Sequence, residues 1–158
     1  MEPSVLASKC TLVPSSFYEP DGAREALSKV CTLSGADEVR SLYVESFDAY
    51  LIYVSGGESS LKPEMYFILE ALGRCTEYNR IVCSWAEGTL YMGVAQGGRL
   101  LLANVYEAPD FTTAEYYIFL AMNSLQLNPE VSKICWRLPI TEEQQMSLYR
   151  YFKAVENL

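Results

Sequence analysis

Histidine is absent from this 158-residue chain, and that absence removes more chemistry than any motif present could add. Without an imidazole there can be no Ser-His-Asp or Cys-His arrangement, and the side chain that usually shuttles protons near neutral pH is missing. Zinc would fall to cysteines and carboxylates alone. The five cysteines, Cys10, Cys31, Cys75, Cys83 and Cys135, contain no C-x-x-C pair, and no recognised metal spacing joins them. An odd number of thiols scattered through apolar segments reads as reduced core cysteine in a cytosolic protein, not as a disulfide framework. Basic residues are scarce too, 12 Lys and Arg against 20 Asp and Glu, leaving a formal charge of −8. That balance opposes a phosphate backbone or an anionic membrane as partner, because counterion release needs clustered cations. Long apolar runs are also lacking. The longest, Tyr116 to Met122, is far short of the roughly 20 residues a membrane span requires. Met1-Glu2-Pro3-Ser4-Val5 has no basic region leading into an apolar one, so no secretory signal is read. These absences predict a cytoplasmic protein with no nucleic acid, membrane or metal partner.

Half of the residues are hydrophobic and only 20% charged, the composition of a packed α/β domain. Three apolar segments follow one another, Ile81 to Trp85, Leu90 to Ala95 and Leu100 to Tyr106, separated by Glu87-Gly88 and Gly97-Gly98. Two-residue links ending in glycine supply the positive φ of primed hairpin turns, so these segments predict an antiparallel meander. A helix pattern runs from Phe111 to Leu125, is stopped at Asn128-Pro129, and gives way to an apolar strand from Val131 to Trp136. Strand, strand, strand, helix, strand is the order of the half-unit of actin-like and ribonuclease H-like folds.

Ahead of this unit, Val5 to Val13 reads as a strand, Asp21 to Cys31 as a helix, and Val39 to Phe47 and Ala49 to Ser55 as strands broken by Asp48. Gly56 to Ser60 is the clearest flexible link and predicts a hinge between a partial N-terminal lobe, residues 1–58, and a C-terminal lobe, residues 59–158. From Pro63 a helix extends to about Leu72, with Met65, Ile68, Leu69 and Leu72 on one face and Gly73 placed to end it. After the last strand of the unit, Thr141-Glu142-Glu143-Gln144 forms a capping box, with Arg150 and Lys153 expected in the final turn. Met146, Tyr149, Phe152 and Val155 are expected to face inward together, and Thr141→Ala to cost about 1 kcal/mol.

Several blocks resemble a known family. Thr11 to Phe17, Pro63 to Tyr66, Glu77 to Asn79, Phe111 to Ala114, Leu125 to Val131 and Met146 to Phe152 resemble the uncharacterised bacterial family designated domain of unknown function 3822. The blocks span residues 11–152. The resemblance implies an actin-like fold with two lobes and brings no established activity. It also implies a longer N-terminal segment than this chain has. On that reading Val5 to Val13 is the fourth strand of the first lobe, and the chain is either a shortened member or begins late in its reading frame.

Three sets of residues are candidate sites. In the actin-like position, Glu87, Gly88 and Thr89 could contribute a carboxylate and a hydroxyl to ATP and Mg, a weak nucleotide site. Nucleotide-binding members of that class place an Asp and a run of glycines and hydroxyl residues there, and a phosphate nest needs several successive amides. A Glu-Gly hairpin turn explains these residues better. Glu107, Asp110 and Glu115 could be paired carboxylates, but Asp110 stands where a helix needs its cap and Glu115 where the helix dipole favours negative charge. Twelve tyrosines are many. Tyr50 and Tyr53 fall on opposite faces of one strand and Tyr116 and Tyr117 are adjacent on a helix, so these four are candidates for a protein interface. The sequence thus points to a non-catalytic interaction or assembly module without cofactor, associating with another protein or with itself. The alternative is a weak nucleotide-binding or ATPase domain.

Overall fold

The computed structural model describes residues 1–55 and 60–158, and among them the chain forms two sheets. In the first, β1 (Cys10–Pro14), β2 (Glu38–Val44) and β3 (Ala49–Ser55) lie in the order β1-β3-β2, every pair antiparallel. The break at Asp48 is sharp because this residue adopts the left-handed conformation, φ 47°, which short polar side chains tolerate. A short helix, α1 (Ala23–Ser28), buries Leu27 beside this sheet.

The second sheet has the order β6-β5-β4-β7-β8. The antiparallel meander is β4 (Asn79–Ala86), β5 (Thr89–Gln96) and β6 (Arg99–Glu107), with the hairpins at the two glycine-containing links. Helix α3 (Phe111–Ser124) then carries the chain to β7 (Lys133–Trp136), which pairs parallel with β4, and α4 (Glu142–Tyr149) carries it to β8 (Ala154–Asn157), parallel to β7. This is the expected half-unit, completed by a fifth strand. β4 and β5 are buried on both faces, which is why they read as nearly continuous apolar runs.

One face of this sheet packs with α3 and α4 around Ile81, Cys83, Met92, Ile118, Trp136 and Leu148. On the other lies α2 (Glu64–Arg74), whose Met65, Ile68, Leu69 and Leu72 meet Val82 and Tyr91 of the second sheet and Val44, Leu51 and Tyr53 of the first. Each such fully buried aliphatic side chain contributes about 1.5–3 kcal/mol. Gly93 lets α2 approach this closely: a Cβ there would stand 2.5 Å from Leu72 Cδ1.

Several expectations need correction. Val5 to Val13 is not one strand: Val5 makes an isolated parallel bridge to Pro63, and β1 begins at Cys10. Nor is it placed as a fourth strand, which in the second sheet pairs parallel on both sides, whereas β1 pairs antiparallel with β3. Gly73 does not end α2; it sits inside the helix against the side chain of Ser46. Helix α3 ends at Ser124, ahead of Asn128-Pro129, and the chain turns away at Gln126, where φ is 57°. The last helix ends at Tyr149, so Lys153 lies beyond it, and of the four residues expected inside only Phe152 and Val155 are buried, Val155 within β8. Met146 and Tyr149 are exposed, and Leu148 fills the core instead. Of the expected hinge, Gly56 to Ser59 lies outside the described residues.

Candidate functional site

The β4–β5 turn brings Glu87, Gly88 and Thr89 together as a tight hairpin. Glu87 and Gly88 have φ of 49° and 72°, and Ala86 pairs with Thr89 across the turn. Positive φ at both central residues is the primed geometry that matches strand twist, and glycine adopts it without strain. The Gly88 carbonyl accepts the Ala108 amide at 2.8 Å, and Trp85 Nε1 donates to the Ala108 carbonyl at 2.8 Å. The turn is therefore fastened to the chain entering α3. Glu87 extends into solvent, and Glu107 lies opposite Thr89 in register. Among the described residues no group of three or more Cys, Asp or Glu is placed to hold a metal ion.

Asp110 caps α3, accepting the Thr113 amide at 2.7 Å and the Thr113 hydroxyl at 2.8 Å. Those bonds hold its carboxyl below the ordinary carboxylate range, the amide contributing most. Glu115 accepts from Ser147 Oγ at 2.7 Å and so joins α3 to α4. Asp110 and Glu115 are thus each engaged in separate structural bonds, and Glu107 lies apart from them at the end of β6. Burial pushes the thiols of Cys10 and Cys135 up to about 12 and about 11, and raises Cys83 as well, as expected of unreactive core sulfur. All five cysteines are free.

The chain also contains a buried polar cluster that sequence reasoning missed. Glu64, the first residue of α2, has no exposed surface. Its Oε1 accepts from Ser4 Oγ and from Arg137 Nη1, each at 2.5 Å, and its Oε2 accepts from Ser84 Oγ at 2.5 Å. Arg137, also buried, donates to the Glu2 carbonyl and lies 4.3 Å over the Phe67 ring. The carboxylate gains from the α2 N-terminus as well as from the guanidinium. Ser84 near the end of β4 and Arg137 just after β7 meet at the carboxyl ends of the two central parallel strands. Every oxygen of Glu64 is occupied, so the cluster clasps residues 2–4 to the second sheet. Its sequence signal was slight: Ser84 and Arg137 are polar residues adjoining apolar runs, each requiring a buried partner.

The four tyrosines go to different places. Tyr50 stacks on Tyr18 at 3.8 Å and 11° and leans on Tyr43 at 5.1 Å, while Tyr53 is 7% exposed and packs into the core with α2. In this conformation Tyr53 offers nothing to another chain. Tyr117 stacks on Tyr106 of β6 at 4.8 Å, and Tyr116 projects outward, 61% exposed. One turn further along α3, Leu120 is exposed as well. Beside them, Phe119 meets Tyr151 edge-on at 5.0 Å, and Met146, Tyr149 and Tyr151 are all more than half exposed. Together α3, α4 and the turn after it present an apolar, aromatic outer face.

Comparison with known proteins places this geometry in a wider setting. The family model described as protein of unknown function (DUF3822) matches residues 5–155. None of the curated proteins matches the chain. Among solved structures, a Bacteroides thetaiotaomicron VPI-5482 protein described as having an actin-like ATPase fold and unknown function superposes with a TM-score of 0.78 at 14% identity. The match covers 97% of this chain and 66% of that one, so the chain spans about two thirds of that protein's length. At this identity the likeness establishes the fold, and the actin-like class expected from the order of elements is the class found.

Proposed function

The chain belongs to the DUF3822 family of proteins of unknown function, and from that premise we propose that it is a non-catalytic interaction or assembly module on an actin-like fold. In this reading residues 1–58 and 59–158 are its two lobes, and its partner is another protein or a further copy of itself. The observation that carries the reading is the exposed face of Tyr116, Leu120, Met146, Tyr149 and Tyr151. Large apolar side chains gathered on adjacent elements are costly to leave in water and are characteristic of surfaces that another chain covers. The fastened hairpin at Glu87, Gly88 and Thr89 supports the same reading, since closing a turn accounts for its glycine without a ligand. Sedimentation velocity across a wide concentration range, alone and with candidate partners, tests the proposal. Association weakened by Tyr116→Ser is the expected result. A chain that stays monomeric and captures no partner overturns it.

A further inference from the structure

The outer face of α3 and α4 has a charge pattern that narrows its partner. Helix α3 carries one charged side chain, Glu115, and no cation; α4 opens with Glu142 and Glu143 and contains no cation either. Asp110 adds a negative charge at the start of α3. Arg150, which caps α4, is the nearby cation, since Lys153 is paired with Glu77 at 3.1 Å. The Glu115–Ser147 bond joins α3 to α4 and the Phe119–Tyr151 contact joins α3 to the turn after α4, so Glu115, Glu142 and Glu143 belong to the same packed pair of helices as the exposed Tyr116, Leu120 and Met146. Glu142, Glu143, Met146, Ser147, Tyr149 and Arg150 line a shallow depression on α4, two acids against one cation.

Resting on the interaction reading above, we infer that this face docks a basic amphipathic segment of another protein, its apolar side chains against Tyr116, Leu120 and Met146 and its Lys or Arg side chains against Glu115, Glu142 and Glu143. Charge complementarity selects this occupant over a second copy, because two faces of this composition would set acid against acid in a chain already carrying −8. An acidic segment is excluded on the same ground.

The test uses the full chain and two labelled 14-residue helical peptides, one of Leu and Lys and one of Leu and Glu, followed by fluorescence anisotropy. The Leu/Lys peptide should bind with an affinity that falls as salt is raised. Tyr116→Ser should weaken it by about tenfold or more, as for an interface anchor. The double variant E142Q/E143Q should weaken it and flatten its salt dependence, while E38Q/E45Q, acids of the first lobe, should leave it unchanged. Equal loss in both charge variants, or no effect of Tyr116→Ser, would reduce the binding to general attraction and overturn the inference. Self-association abolished by Tyr116→Ser, with neither peptide bound, would also overturn it but leave the interaction module standing. A monomer that binds neither peptide nor any partner would remove both.

Discussion

Glu64 and Arg137, 73 residues apart, form an ion pair of 2.5 Å with almost no solvent contact. A buried pair contributes little over a well-packed apolar one, but removing one partner strands the other charge without water. Arg137→Met is therefore expected to destabilise the chain by about 3–5 kcal/mol, and Glu64→Met to do the same. The double variant should recover most of that loss. Urea unfolding of the three variants checks this, and equal loss in single and double variants would count against the clasp.

At Gly93 the space for a side chain is already filled by Leu72 and Ile68. Gly93→Ala should displace α2 and lower stability by about 1–3 kcal/mol, the cost of overpacking a core. At Gly98 nothing lies within 4 Å, so Gly98→Ala should stay within about 0.5 kcal/mol of the parent. Thermal melts of the two variants side by side separate close approach from glycine content.

Acid sensitivity follows from three aspartates. Asp110 is held below its ordinary value of 3.8 by the Thr113 amide, Asp48 by the Tyr43 hydroxyl and Asp37 by the Ser34 amide. A carboxyl whose folded pKa is depressed takes up protons less readily than in the unfolded chain. Its stabilisation is complete above the unfolded value and disappears as pH falls through the folded one. The melting temperature should therefore drop below about pH 4. Asp110→Asn keeps a capping oxygen and removes one titrating group, so its decline should be shallower in circular-dichroism melts.

Millimolar Mg·ATP should leave the melting temperature unchanged if the reading proposed is right. A ligand at 100 times its Kd stabilises a fold by about 2.7 kcal/mol, a shift of several degrees for a chain this size. Such a shift, lost in Glu87→Gln, would restore the nucleotide reading of the β4–β5 turn.

The meander, α3 and the capping box of α4 were legible because local signals and tertiary packing agree there. Thr141 Oγ1 accepts the Gln144 amide at 3.1 Å, and Gln144 Oε1 accepts the Thr141 amide at 2.9 Å. β8 was hidden because Val155 is its one buried residue, too few to reveal alternation, and because Tyr149, Phe152 and Val155 happen to recur at helical spacing. The chain turns after Tyr149, so that spacing does not define a face. The Glu64 cluster was hidden for a different reason. An acid at the start of a helix is fully explained by the dipole, and nothing local reveals that Ser4, Ser84 and Arg137 converge on it.

Trp85 and Trp136 both contact Phe111, at 5.6 Å, and they are the chain's two tryptophans. Indole emission consequently reports melting of the second sheet, while backbone circular dichroism follows both sheets at once. Any divergence between those two optical signals during denaturation would reveal a half-melted species directly, with no label attached.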